Sequence, residues 1–323
     1  MKLTASSKYC TVLLAGYCLA LPSPLRAQTV PKDQLIAMTA EWEGPRFPDG
    51  RPNVADDVLK RMEHVTIEEA WATLRGAKYT TQFEDGDEFE QGRWEIMRPD
   101  QAIVGRALTA TYAPARPDVQ QYIDQQGKQA ERSGPPNTWP IDMLQPGDVY
   151  VADGFGKIAD GTLIGDRLGN AIYANSGNGV VFDGSARDLE GLQEIEGFNA
   201  FLRGWHPSYI QNMMLVGLNT PTRIGSVTAM PGDVVLAKRE GVVFIPAHLA
   251  EQVVNESERT RVRDAFAHAM VANGTYTAGQ MDTKWTEEIQ KNFVGWVQSN
   301  GQRLQDELGV ARETIDALVQ GQP

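Results

Sequence analysis

The feature that most constrains this chain is an alternation of short apolar runs with helical stretches between residues 146 and 202. Pro146-Gly-Asp148 is turn chemistry leading into the apolar run Val149-Tyr-Val-Ala152, and Asp153-Gly-Phe-Gly156 follows at its carboxyl end. The spacing predicts a helix over 162–174, stopped by Gly177 and Gly179. A second strand is predicted at Val180-Val-Phe182, then a helix over 189–195 and an extended run over 198–202. Strands separated by helices are joined by crossovers rather than hairpins, so they pair in parallel and the helices cover the sheet. The predicted fold class is therefore α/β. In such sheets ligands sit at the carboxyl ends of strands, which turns the polar residues there into candidates for function.

The rest of the chain fits around this centre. Residues 28–64 read as an N-terminal arm, with turn chemistry at Phe47-Pro-Asp-Gly-Arg-Pro52. Thr66-Ile-Glu-Glu69 has the spacing of a capping box, so a helix is expected from there to about Leu74. Residues 80–100 are acidic and irregular, and Glu84-Asp-Gly-Asp-Glu88 reads as a solvated turn. Ile103–Tyr112 is rich in strand formers, and Asp118–Arg132 is a polar helix followed by a Pro- and Gly-rich loop at 133–140. Met213–Leu218 and Gly225–Val227 are expected as short strands. Pro231-Gly-Asp-Val-Val235 echoes Pro146-Gly-Asp-Val-Tyr150, a hint of a repeated turn-plus-strand unit. Gly241-Val-Val-Phe-Ile-Pro246 is a buried strand ended by proline, and a long helix follows to about residue 272. The tail at 281–321 reads as two helices, with Trp285, Ile289, Phe293 and Val297 on one apolar face. These helices are expected to cap an oligomer edge or a pocket mouth.

Composition narrows the partners. A net charge of −12 and no local Lys/Arg cluster argue against binding nucleic acid through phosphate neutralisation. Four histidines and two cysteines are too few for a probable Cys/His zinc site. Residues 1–27 have the three parts of a secretory signal: Lys2 and Lys8, an apolar run from Tyr9 to Leu21, and a proline-broken stretch ending at Ala27. The run is short for a bilayer span, so no stable membrane anchor is expected after cleavage. Cleavage would remove Lys2, Lys8, Arg26 and no acid, taking the charge from −12 to −15. It would also remove Cys10 and Cys18, the only cysteines, and a periplasmic or secreted location is expected.

Several charged groups fall at predicted strand ends: Asp153, Asp166 after Gly165, and the adjacent pair Arg187-Asp188. An isolated Arg-Asp pair is usually a surface ion pair. Three acids and an arginine converging on one sheet edge suit a hard divalent cation, with the guanidinium free to grip a carboxylate. Gly165 would let backbone N–H groups approach an anion closely.

Asp166 and Arg187-Asp188 together form D-x20-R-D, with Asp183-Gly184 just before the arginine. This arrangement resembles the RraA-like family, which includes class II 4-hydroxy-4-methyl-2-oxoglutarate / 4-carboxy-4-hydroxy-2-oxoadipate aldolases. Val104-Gly-Arg-Ala107, Pro146-Gly-Asp148, Arg203-Gly204, Pro231-Gly-Asp233 and Gly241–Pro246 match it as well, so the likeness runs over about 65–275. It implies a layered βαβ sandwich or barrel-like core, with the arm at 28–64 and the helices at 276–323 as additions. The assembly implied is a trimer or hexamer with sites between subunits.

The resemblance also implies roles. Arg187 matches the arginine that holds the pyruvyl carboxylate and keto oxygen, and Asp188 matches the ligand of a Mg²⁺ or Mn²⁺ ion. Asp166 matches the acid that holds a water of that ion, and the backbone of Gly165, Arg167 and Leu168 matches the carboxylate-binding loop. An acid from a neighbouring subunit is implied on the long helix; Asp264 is the first candidate by position, with Glu256 and Glu258 competing. The chemistry implied is cleavage of a small 2-oxo acid through a pyruvate enolate. The rival functions are a non-catalytic regulator, as RraA is for a ribonuclease, and a periplasmic binding protein for a carboxylated ligand. No glycine-rich loop after a first strand supports the methyltransferase label that the family sometimes carries. Two departures bear on substrate: Ala237-Lys-Arg-Glu240 stands where the family usually has an acid, and Arg167 stands where it is usually apolar.

Overall fold

The computed structural model describes residues 29–85 and 94–321. The expected signal and both cysteines lie outside the described residues, as does most of the acidic run at 84–88. Among the described residues no helix is long and apolar enough to cross a membrane.

The arm contributes α1 (Lys32–Met38) and α2 (Asp56–Met62). α3 (Ile67–Gly76) starts as predicted: the Thr66 hydroxyl accepts from the Glu69 amide, and the Glu69 carboxylate accepts from the Thr66 amide. β1 (Phe83–Asp85), β2 (Glu95–Ile96) and the long β3 (Ile103–Pro114) follow, then α4 (Pro117–Gln129) and β4 (Asp148–Asp153). α5 (Asp166–Ser176), β5 (Val180–Asp183), β6 (Ser185–Ala186), α6 (Leu189–Gln193), β7 (Ala200–Leu202) and β8 (Gly204–Trp205) complete the crossover region. Beyond it lie β9 (Met213–Leu218), β10 (Thr222–Ile224), β11 (Val227–Ala229), β12 (Val234–Lys238) and β13 (Gly241–Ile245). The chain ends in α7 (Ala250–Ala272), α8 (Ala278–Met281), α9 (Glu287–Leu308) and α10 (Arg312–Val319).

The main sheet runs β1-β13-β12-β3-β4-β5-β7-β2, with β9 paired to the far end of β3. Its centre, β3-β4-β5-β7, is parallel, as the crossovers require, and its flanks are antiparallel. The sheet curls into a half-barrel. Alternate residues of β4 show why both faces are apolar. Val149 and Val151 point into the curl with Phe201, Val235 and Phe244, while Tyr150 and Ala152 face outward with Phe182 and Ile172 of α5.

Several elements differ from the sequence reading. The run at 80–100, expected to be irregular, supplies β1 and β2, the two edge strands of the main sheet. α5 begins at Asp166, not at 162, because residues 162–164 are extended and bridge β6. Gly225–Val227 is not one strand: Gly225 (φ +57°) is the turn of the β10–β11 hairpin, whose Ile224, Val227 and Ala229 plug the curl. The echo of the two Pro-Gly-Asp segments is structural. In each, the aspartate accepts the amide of the residue three before it, Gln145 at 2.9 Å for Asp148 and Met230 at 2.8 Å for Asp233. The turn glycines, Gly147 and Gly232, take φ of +80° and +87°.

The arm is packed into the core. Val54, Val58, Leu59 and Met62 join α3 and α7 over the outer faces of β12 and β13. Arg51 is fully buried; its Nε donates to Asp49 (2.8 Å) and its Nη1 to Asp148 (3.0 Å). Burial pushes the Asp148 carboxyl above its ordinary range, with Arg51 pulling in the opposite direction. The tail packs on α7, with Phe266 ringed by Trp285, Phe293 and Trp296 at 5.3–5.7 Å. Removing one member of a buried ion pair typically costs about 3–5 kcal/mol. Arg51→Met should lower stability by about that amount in urea denaturation, and adding Asp148→Asn should recover part of the loss.

Candidate functional site

β4 and β5 end side by side, Asp153 opposite Asp183. Beyond these ends the chain builds a second, smaller layer. The Leu163 amide donates to the Ser185 carbonyl (2.9 Å) and the Arg187 amide to the Ile164 carbonyl (3.0 Å), so 162–164 runs beside 185–187. On the other side β6 pairs in parallel with β8, and the His206 amide donates to the Ala186 carbonyl (3.1 Å). The Asn137 side-chain amide donates to the Leu163 carbonyl (2.9 Å), fixing the loop from above. This layer brings positions 165–168 against 187–188, which are about 20 residues apart in the sequence.

The approach is close. A Cβ on Gly165 would lie 2.2 Å from Asp188 Oδ2 and 3.2 Å from Arg187 Nε, so only glycine fits without displacing Asp188. Asp188 itself holds a left-handed backbone (φ +60°) at the start of α6, and its Oδ2 is 3.7 Å from Arg187 Nε. A Cβ on Gly191 would lie 2.7 Å from Asp166 Cβ and 3.1 Å from Asp166 Oδ2, which seats Asp166 over the first turn of α6. Both acids thus stand at the meeting point of two helix starts. Gly165, Asp166, Arg167, Leu168 and Arg187 line one cavity of about 350 Å³, and Asp188 sits at its edge. Arg187 and Asp188 side chains are 39% and 38% exposed, so the charges are solvated enough to exchange partners.

Not every expected residue joins them. Asp153 turns away: its Oδ1 accepts from the Phe155 amide (2.7 Å) and lies 3.5 Å from Arg223. It belongs to a separate network in which Asp183 meets Arg203 (3.0 Å) and Arg223 (3.2 Å), and Glu84 meets Arg203 (2.6 Å) and Ser226 (2.8 Å). Glu84 is therefore buried, not part of a solvated turn. Asp264 and Glu256 line a different cleft, between α3 and α7. Glu258 is fully buried and spoken for, accepting from Arg61 (2.7 Å) and Thr314 (2.5 Å). His206 is a structural acceptor: the Ser208 amide donates to its Nδ1 (3.2 Å), and Ser208 Oγ lies 2.9 Å away.

The sequence reading missed Tyr209 and Asn137. Tyr209 lines the cavity, stands 64% exposed, and places its ring centroid 5.9 Å from the Arg187 guanidinium carbon. Its only signal was an aromatic beside Ser208 and His206, and the knot they form is a tertiary fact. Among the described residues no three His, Cys, Asp or Glu side chains group to hold a metal. What this chain offers is a pair of hard carboxylates, Asp166 and Asp188. That set suits a cation that keeps most of its water, such as Mg²⁺ or Mn²⁺, and not a caged ion.

The RraA-like family, described as Aldolase/RraA, matches residues 65–244, more than half of the chain. This chain belongs to the RraA-like family. Among its relatives, protein DlpA of Legionella pneumophila is 29% identical over 136 residues, 42% of this chain and 22% of DlpA. A Hahella chejuensis protein named "Putative 4-hydroxy-4-methyl-2-oxoglutarate aldolase" is 32% identical over 111 residues, 34% of this chain and 66% of that protein. The RraA-like fold is shared with Streptomyces coelicolor RraAS2, described as an unusual member of the RNase ES inhibitor RraA protein family. The TM-score is 0.54 at 21% identity, over 68% of this chain and 98% of RraAS2. An uncharacterized Pseudomonas syringae protein gives a TM-score of 0.55 at 23% identity, over 74% of this chain and 98% of that one. Residues 29–64 and α7–α10 lie outside the stretch that matches the family.

The tight packing at Gly165 is testable on the RraA-like chain directly. Because the nearest atom is the tip of a half-exposed carboxylate, Gly165→Ala should displace Asp188 with little change in the urea midpoint, whereas Gly179→Ala, whose Cβ would run into the Asn199 backbone carbonyl, should lower it by the equivalent of about 1–3 kcal/mol. Gly76→Ala, where an added Cβ meets nothing within 4 Å, should leave the midpoint unchanged or raise it.

Proposed function

We propose that this chain is a divalent-metal-dependent lyase that cleaves a small 2-oxo acid, releasing pyruvate. The observation that carries the reading is the convergence of the Arg187 guanidinium, the first turn of α5 and the Asp166 carboxylate on one cavity, with the Asp188 carboxylate packed against Gly165 of its lining. Aldolase names among the relatives favour a lyase over a purely regulatory role.

Asp188, with Asp166 acting on the water shell, would hold a Mg²⁺ or Mn²⁺ ion, which supplies Lewis acidity toward a carboxylate and a 2-keto oxygen. Arg187 grips the same two groups through its forked N–H donors, which fixes the substrate and offsets negative charge gained on the keto oxygen when the C3–C4 bond breaks. The first turn of α5 leaves amide donors without partners inside the helix, and these face an anion favourably. The Arg167 amide already donates to Asp166 Oδ1 (2.7 Å), so the loop's share falls on the other amides of that turn. Asp166 Oδ2 is then the oxygen left to take the proton of a substrate hydroxyl, directly or through one water. The Tyr209 ring lies beside the Arg187 guanidinium and forms one wall of the cavity.

The reading includes a trimer or hexamer in which Asp264 or Glu256 reaches a neighbour's cavity, since within one chain they line another cleft. It also includes export to the periplasm or cell exterior.

Pyruvate release from a panel of 4-hydroxy-2-oxo acids and oxaloacetate, with Mg²⁺ or Mn²⁺ and with chelator, tests the proposal. The expected result is chelator-sensitive turnover that falls by about 100-fold or more in Arg187→Ala and Asp188→Ala. Turnover indifferent to chelator and to both substitutions would overturn it. No turnover at all, with ligand binding retained, would favour a binding protein or regulator.

A further inference from the structure

The arm encloses a second cavity, of about 380 Å³, that shares no lining residue with the first. Its walls come from the segment after α1, from Tyr79, from the Asp233 turn, and from Pro246 to His248. Much of this wall lies outside the stretch that matches the family, on residues 37–52 and 246–248.

Two acids and one histidine line this cavity. Asp233 lies at its base, 5% exposed, and Glu41 stands at its rim with a side chain 73% exposed. His248 Nε2 is 2.9 Å from Glu41 Oε2 and 3.3 Å from the Tyr79 hydroxyl. Among the described residues no lysine or arginine lines the cavity. Trp42 and Tyr79 add aromatic surface, and alanine, methionine and proline supply most of the rest.

Comparison with the twin turn isolates what is unusual. Asp148 and Asp233 occupy the same position in the same motif, and each caps an amide three residues back. Asp148 is met by the Arg51 guanidinium at 3.0 Å and by Arg106 Nε at 3.8 Å. Among the described residues Asp233 is met only by the Met230 amide, and its carboxyl is pushed up to about 7 by burial. A buried carboxyl without a cation takes up a proton near neutrality, and a cation bound beside it would hold it ionised instead.

We propose that this cavity binds a small organic ammonium, its charge between Asp233 and Glu41 and its apolar body against Trp42 and Tyr79. Two carboxylates and two aromatic rings around an apolar pocket are the groups that recognise such a ligand, through charge-assisted hydrogen bonds and cation–π contact. An anion would meet two acids, with His248, held by Glu41, as the one lining group able to answer it. A metal ion lacks its ligands, since among the described residues no three suitable side chains group.

Isothermal titration of the full chain with benzylammonium, benzyl alcohol and benzoate tests this, and it does not depend on any lyase activity. The expected result is one site, with benzylammonium bound at least tenfold more tightly than either control. Asp233→Asn keeps an oxygen to accept the Met230 amide and should weaken benzylammonium at least tenfold. Glu41→Gln, at the exposed rim, should weaken it several-fold and leave pyruvate release unchanged. Equal affinity for the three probes, binding of none of them, or full affinity in the variants would overturn the proposal. Should Asp233→Asn fail to fold, Glu41→Gln decides alone.

Discussion

The candidate site rests on a few backbone hydrogen bonds made outside the main sheet. The amides of Leu163 and Arg187 and the carbonyls of Ser185 and Ile164 hold two loops side by side. The parallel pairing of β4 with β5 delivers those loops to the same edge, and β8 braces them from the far side. Without this layer Asp166 and Arg187 would belong to separate crossovers. With it, the first turns of α5 and α6 face one another, and only glycine at 165 leaves room for the Asp188 carboxylate.

This geometry explains which parts of the chain could be read in advance. The strands β3, β4, β5 and β13 were legible because runs such as Val149–Ala152 and Gly241–Ile245 are apolar throughout and end in turn residues. The α3 start was legible because a capping box is local chemistry. The Asp166, Arg187 and Asp188 cluster was legible through resemblance, while the residues alone suggested only acids at strand ends. That weaker suggestion also drew in Asp153, which the structure gives to the Glu84–Arg203–Asp183–Arg223 network.

What escaped the sequence is tertiary in origin. The spacing runs residues 162–164 into the following helix, yet they are extended because β6 offers them a partner and Asn137 pins the Leu163 carbonyl. Gly225 and its neighbours look like a strand, but the half-barrel needs a plug, and a hairpin supplies one. Glu84 sits in an acidic run that reads as solvent-facing, and Arg203 draws it inside. The arm reads as polar and turn-rich, and nothing local announces that Arg51 answers a charge 97 positions away. In each case a long-range partner overrides the local preference.

The burial of Glu258 couples the two ends of this chain. One carboxylate on α7 accepts from Arg61 of the arm and from Thr314 of the final helix. All three residues lie outside the stretch that defines the family. The two additions are thus tied to one another through a single buried carboxylate. Truncating the arm would leave that charge in a dry interior without its Arg61 partner, and truncating the tail would remove the Thr314 hydroxyl. An edit at one end of the chain is felt at the other.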